Sequence, residues 1–396
     1  MMKNIKTFYS MAIVTLVALL VLSCRGDKMD VTYNSVPTPS TSLKQATLKV
    51  FVENSRSMDG YMCPGSELKD AVYAYLGDLE PEFGKMELYY INSDIIPRPK
   101  DLKSFIATLT PQSFKSAGGN RSATDMGELI ERVLGECDDS TVSIFISDCI
   151  LALNGAMPGD LMVNRQIEVK NAVRDAMIKD KNLSVEIIQL KSKFDGTYYY
   201  GDGRNEKLHG EQRPYYMWIF GSNSMLAEMN KKAPIDEIMH GVENWVSFSK
   251  QQKIPFKITN EKGGIPTGML PVNTTYVIRV CADMSSILKP ESVLLMTDNY
   301  STTDKAINIS SIERSGNEHV LSLSIKSTFM GKDKTISYID ANKLPGWVEA
   351  SSNDSCPDIK EALGQTTGIK YLIGGVADAY KDVESLGEIK FELIKH

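Results

Sequence analysis

The chain has 396 residues, 42% of them hydrophobic and 24% charged, with a net charge of −6. Such a composition suits a globular protein that buries one large core or two smaller ones. The excess of acidic residues excludes the basic face that phosphate neutralisation requires, so no nucleic-acid partner is expected. The four histidines (His209, His240, His319, His396) are scattered and no C-x-x-C pair occurs, which argues against a zinc site.

The first 23 residues have the form of a targeting segment. Lys3 and Lys6 precede an apolar core at residues 11–22 that is short for a permanent membrane span. That core ends in Leu-Val-Leu-Ser-Cys at residues 20–24, which resembles a bacterial lipobox, with Val21 where Leu is commoner. The resemblance implies a lipoprotein signal peptide over 1–23, cleavage before Cys24, and acylation of the Cys24 thiol and new amine. Lipid on Cys24 would anchor the protein to a membrane. Arg25 stands where an aspartate often retains lipoproteins in the inner membrane, so the outer membrane of a Gram-negative cell is the expected destination. Residues 24–45, with Pro37 and Pro39 among Ser and Thr, predict a flexible tether reaching some tens of ångströms at about 3 Å per residue. Five further cysteines (Cys63, Cys137, Cys149, Cys281, Cys356) leave at least one thiol unpaired, and their pairing stays open.

Residues 46–248 alternate apolar strands with helical segments. Strands are predicted at 47–52, 86–91, 142–147, 184–190 and 215–220, and helices at 66–79, 124–135, 163–180 and 222–231. Continuous apolar strands separated by helices predict an α/β domain with a doubly wound, mostly parallel sheet. Ligands of such sheets bind at the carboxyl ends of the strands.

The motif that organises this domain is at residues 48–62, where an apolar run ends in Glu53 and Ser55, Ser57 and Gly60 follow. Thr124 opens a helix after the run SAGGNRSA, and Asp148 ends the strand VSIFISD. An apolar strand leading into E-x-S-x-S, with that Thr and Asp downstream, resembles the metal-ion-dependent adhesion site (MIDAS) of von Willebrand factor type A (vWA) domains. The resemblance covers residues 46 to about 232. It implies Ser55, Ser57 and Thr124 as oxygen ligands, with Glu53 and Asp148 supplying negative charge. The implied cofactor is Mg²⁺, with Mn²⁺ or Ca²⁺ as alternatives, because hydroxyl and carboxylate oxygens suit hard cations. It further implies a protein partner that offers an acidic residue to an open coordination position. Glu53 departs from the usual Asp by one methylene, which bears on whether metal is held. The segment 194–214, with Tyr198, Tyr199 and Tyr200 among Gly turns, is either a plain hairpin or a partner-contact loop beside the site.

Residues 249–396 predict a β-rich, sandwich-like domain with strands at 274–282, 292–296, 305–312, 319–327 and 334–340. A helix at 369–381 and a final alternating strand, GEIKFELIK, follow. The leading functional expectation is a non-enzymatic, membrane-anchored protein that binds a partner through a metal-assisted contact. A metal-independent scaffold subunit of an envelope complex is the alternative. A metal-dependent hydrolase ranks lower, because neither a G-x-S-x-G elbow nor a P-loop is present.

Overall fold

The computed structural model describes residues 27–34, 41–122, 125–152, 158–260, 268–270, 275–303, 307–326, 333–339 and 342–395. The expected signal peptide and Cys24 lie outside these residues. Among the described residues, no helix is long and apolar enough to cross a membrane.

The chain begins with strand β1 (Asp27–Thr32) and then builds a seven-stranded sheet. Its strands are β2 (Thr47–Glu53), β3 (Lys85–Ile91), β4 (Ile95–Pro97), β5 (Thr141–Ser147), β6 (Leu183–Tyr199), β7 (Asn205–Ser222) and β8 (Asn244–Phe248), in the spatial order β4-β3-β2-β5-β7-β6-β8. Every residue of β5 is buried, which requires cover on both faces. That cover comes from α1 (Glu67–Leu79), α2 (Leu102–Ala107), α3 (Pro111–Ser116), α4 (Met126–Gly135), α5 (Pro158–Lys179) and α6 (Asn223–Lys232). The four long helices coincide with the predicted ones to within a few residues. The apolar periodicity behind that agreement puts Leu68, Val72, Tyr75, Leu76 and Leu79 of α1 on one buried face.

The sheet is mixed rather than mostly parallel. Only β3-β2 and β2-β5 pair in parallel; the other four neighbouring pairs are antiparallel. The reason lies in residues 200–204, a tight turn in which Gly203 takes a positive φ of 90°. A parallel return would need a crossover of a dozen residues or more. The chain instead reverses at once, and β7 comes back as an antiparallel strand between β5 and β6. The β6–β7 hairpin is much longer than its sheet neighbours, and its far end projects past the carboxyl edge of β2 and β5.

Two sheets, antiparallel except for a short parallel pairing of Gln252–Lys253 with Gly387–Lys395, build the second unit. One has four strands, Phe256–Asn260, Thr275–Ala282, Glu318–Lys326 and Ile307–Ser315. The other contains Gly268–Leu270, β1, Gly387–Lys395, Asp333–Tyr338 and Tyr300–Thr302. Both feed one apolar cluster that includes Ile258, Ile278, Leu321, Leu323, Ile336 and Phe391, as a sandwich requires. The strand expected at 292–296 is instead a short helix, Glu291–Leu294, started by Pro290 at its N-cap.

Two expected boundaries change. Residues 27–32 are not free tether, because β1 pairs with Gly387–Lys395 on one side and Gly268–Leu270 on the other. The unit from 249 to 396 is not contiguous either. Helix α7 (Ile369–Ala379) packs on α5, and its Ile369, Leu372, Ile373 and Val376 join the core of the α/β sheet. A Cβ on Gly375 would lie 2.5 Å from the Gln166 carbonyl oxygen, so glycine permits this close helix approach. Tyr380, just after α7, donates a hydrogen bond to the Leu183 carbonyl at 2.8 Å. The five described cysteines are all free and buried.

Candidate metal site at the carboxyl edge of the sheet

Strands β2 and β5 run side by side in parallel with Val52 opposite Ile146, so Glu53 and Asp148 leave the sheet at the same edge. The loop after β2 coils into a 3₁₀ turn over Ser57–Met62. It keeps Asn54 and Ser55 buried and Ser57 half-buried. The hydroxyls of Ser55 and Ser57 are 2.8 Å apart and hydrogen-bonded. Four of the five residues expected at the site therefore share one sheet edge. The fifth, Thr124, lies outside the described residues; Asp125 beside it caps α4 by accepting from the Gly127 amide at 2.9 Å.

Glu53 is buried, and its carboxylate accepts a hydrogen bond from the Ser147 hydroxyl on β5. The extra methylene relative to Asp is thus spent reaching sideways to the neighbouring strand. Ser147 also accepts from the Cys149 amide at 2.8 Å, which tightens the turn after β5, where Cys149 takes a left-handed φ of 56°. Asp148 is 2% exposed, and its Oδ1 accepts from the Ile150 amide at 3.4 Å. Its Oδ2 is buried with no full hydrogen bond. Burial pushes the Asp148 carboxyl above its ordinary range, opposed by the nearby Ser57 hydroxyl and by the Arg213 guanidinium. Desolvation outweighs both, so the pocket places an unusually high cost on an uncompensated negative charge.

Two arginines shape this edge, and neither was visible as a site residue in the sequence. Arg121, from the run SAGGNRSA, donates to the carbonyls of Asn54 (2.7 Å) and Ser55 (3.0 Å) and pairs with Asp59. It clasps the motif loop from outside. Arg213 on β7 is 1% exposed. Its Nη1 donates to the carbonyls of Ala362, Leu363 and Gln365, and its guanidinium carbon lies 4.8 Å above the Tyr198 ring. Its Nε and Nη2 have no hydrogen-bond partner. A buried cation with unused donors therefore lies within electrostatic reach of a buried carboxylate with an unused acceptor.

The β6–β7 hairpin and residues 356–368 roof this edge. Tyr61 donates to the Pro214 carbonyl at 2.5 Å and meets the Phe194 ring edge-on at 5.0 Å. A Cβ on Gly60 would lie 2.3 Å from the Phe194 ring, so the motif glycine is needed for packing under the hairpin. The tyrosine triplet does not form an exposed contact loop. Tyr198 and Tyr200 are buried and stack edge-on at 4.9 Å. The Tyr200 hydroxyl accepts from the Ile359 amide at 3.0 Å, and Arg204 donates to the Cys356 carbonyl at 2.6 Å. Only Tyr199 is half-exposed. These side chains fasten the hairpin to the returning C-terminal segment.

Among the described residues, no group of three or more Asp, Glu, His or Cys converges as a metal cage. A cation here would rest on hydroxyls with one or two carboxylates, a donor set that suits a hydrated Mg²⁺. No family model matches the chain, and no curated protein matches it.

Proposed function

We propose that the protein is a membrane-anchored lipoprotein, acylated at Cys24, whose vWA-like domain binds a protein partner through a divalent cation at the edge of β2 and β5. The observation that carries this reading is the buried Asp148 Oδ2, an acceptor with no full hydrogen bond, in a carboxyl near the Ser57 hydroxyl that is itself paired with Ser55. Ser55, Ser57 and Asp148 would hold Mg²⁺ or Mn²⁺, with Glu53 adding charge from its seat on Ser147. Thr124 would complete the set. The bound cation would supply a hard Lewis-acid position for a partner carboxylate. The chain's own contribution is to hold the serine loop still, through Arg121 on its carbonyls, and to exclude water with the hairpin roof.

Isothermal titration of the soluble chain with Mg²⁺ or Mn²⁺ tests the reading. One site is expected, weakened about tenfold or more by Ser55→Ala/Ser57→Ala, the loss of two oxygen ligands. Absence of binding, or binding indifferent to that double substitution, sinks the metal part.

A second reading has its own support. The two serines satisfy each other, Ser147 occupies Glu53, and Arg213 lies near Asp148. A site so nearly closed on itself fits a metal-independent scaffold subunit of an envelope complex, and partner capture that survives EDTA would favour it. Nothing in the geometry calls for the hydrolase alternative.

A further inference from the structure

A cleft of about 760 Å³ lies between the α/β sheet and the antiparallel unit, far from the serine loop in the chain. One wall is α6, the turn Ile235–Glu237 and Trp245 of β8; the other is residues 283–294 with Arg314, Asn317 and His319. Its volume falls in the range of small-molecule sites.

Its polar groups are incompletely used. His319 is 4% exposed, and neither ring nitrogen has a well-formed hydrogen bond. Nε2 is 3.1 Å from Glu291 Oε1, close enough for an ion pair but off the line a hydrogen bond needs. Glu291 Oε1 and Asn230 Oδ1 are also acceptors without donors. Burial lowers the His319 pKa, so the ring is held neutral and presents one donor and one acceptor. Charged groups around it are already engaged: Arg314 pairs with Glu291 at 2.7 Å, Asp236 accepts from the Trp245 indole N–H at 3.1 Å, Lys231 is 3.7 Å from Glu228, and Lys289 donates to the Ser247 carbonyl at 3.4 Å. The Asp236 bond also fixes the plane of the half-buried Trp245 ring at the mouth.

A strongly charged ligand would have to break one of these pairs and leave its other member uncompensated. A ligand of many hydroxyls would not, because each hydroxyl both donates and accepts. A sugar ring also has an apolar C–H face that an aromatic ring can cover. We propose that this cleft binds a short, uncharged oligosaccharide, one ring lying against Trp245 and hydroxyls reaching His319, Glu291 and Asn230. Arg314 holds Oε2 of the half-exposed Glu291, so the pair can turn as a unit and offer Oε1 and the His319 ring to a ligand without breaking.

Saturation-transfer NMR on the full chain in EDTA tests this, using maltotriose, cellotriose and triacetylchitotriose at millimolar concentration as probes. Transfer to the ring protons of at least one is expected. Trp245→Ala should abolish it, and Glu291→Gln, at a partly exposed site, should weaken it about tenfold or more, the cost of one good hydrogen bond. Ser55→Ala/Ser57→Ala should leave it unchanged, which separates this site from the metal reading. No transfer from any of the three, transfer indifferent to both cleft substitutions, or tighter binding of an acidic trisaccharide such as trigalacturonate would overturn the proposal.

Discussion

Arg213 joins the candidate site to a segment about 150 residues further along the chain, and sequence spacing carries no sign of that contact. Its guanidinium is buried, bonded to three carbonyls and near Asp148. Removing a buried donor leaves its acceptors unsatisfied at about 1–3 kcal/mol each, and here three carbonyls lose their partner. Arg213→Met should therefore lower the urea midpoint by an amount corresponding to about 3 kcal/mol or more. Arg213→Lys should rescue little, since an ammonium lacks the planar guanidinium face that lies over the Tyr198 ring and is more strongly hydrated. A second buried group governs pH dependence. Glu186 is fully buried; its Oε1 accepts from Asn230 at 2.7 Å and its Oε2 has no partner. Burial raises its pKa from 4.5 to about 8. The folded chain thus holds a proton that the unfolded chain releases above pH 4.5, so stability falls as pH rises from about 5 to 8. The slope contributed by this one group approaches 1.4 kcal/mol per pH unit. Glu186→Gln should flatten that slope, raising the melting temperature at pH 8 and changing it little at pH 5. An unchanged pH profile in this variant would refute the assignment.

At the scale of elements, strand and helix positions were legible because apolar runs and 3.6-residue periodicity are local signals. Strand direction was not, because alternation is the same whichever way a strand runs. Residues 215–220 were read correctly as a strand, yet their antiparallel course depends on the five-residue turn that follows Tyr199. The candidate site was legible as E-x-S-x-S, but the role of its glycine was not. Gly60 read as a loop residue, whereas its absent side chain makes room for Phe194 from the hairpin. Gly60→Ala should destabilise the fold by about 1–3 kcal/mol, the usual range for overpacking. Adding Phe194→Ala removes the clashing ring, so the double mutant should be more stable than the sum of the single changes predicts. A chemical-denaturation double-mutant cycle measures this coupling, and additive losses would show that the contact is not the cause.

Across the whole molecule, the N-terminal strand changes what an anchor at Cys24 would do. The polar composition of residues 24–45 read as a long tether, and local composition could not reveal β1, whose partners Gly387–Lys395 and Gly268–Leu270 lie more than 230 residues away. Only Arg25 and Gly26 separate Cys24 from Asp27. At about 3.5 Å per residue the anchor would stand some 10 Å from a folded sheet, not tens of ångströms. The antiparallel unit, not the serine loop, would then be held at the lipid surface. β1 is an interior strand with ladders on both sides, so losing it would expose two unpaired edges. Replacing residues 27–32 with a Gly/Ser run should therefore unfold the antiparallel unit first. The α/β sheet, with its own apolar cluster, should persist to higher temperature, which would split a single calorimetric transition into two. A variant shortened only to residue 27 should melt like the full chain. Equal loss in both variants, or a single unshifted transition in the Gly/Ser variant, would show that β1 does not hold this sheet together, and the short-anchor geometry would fall with it.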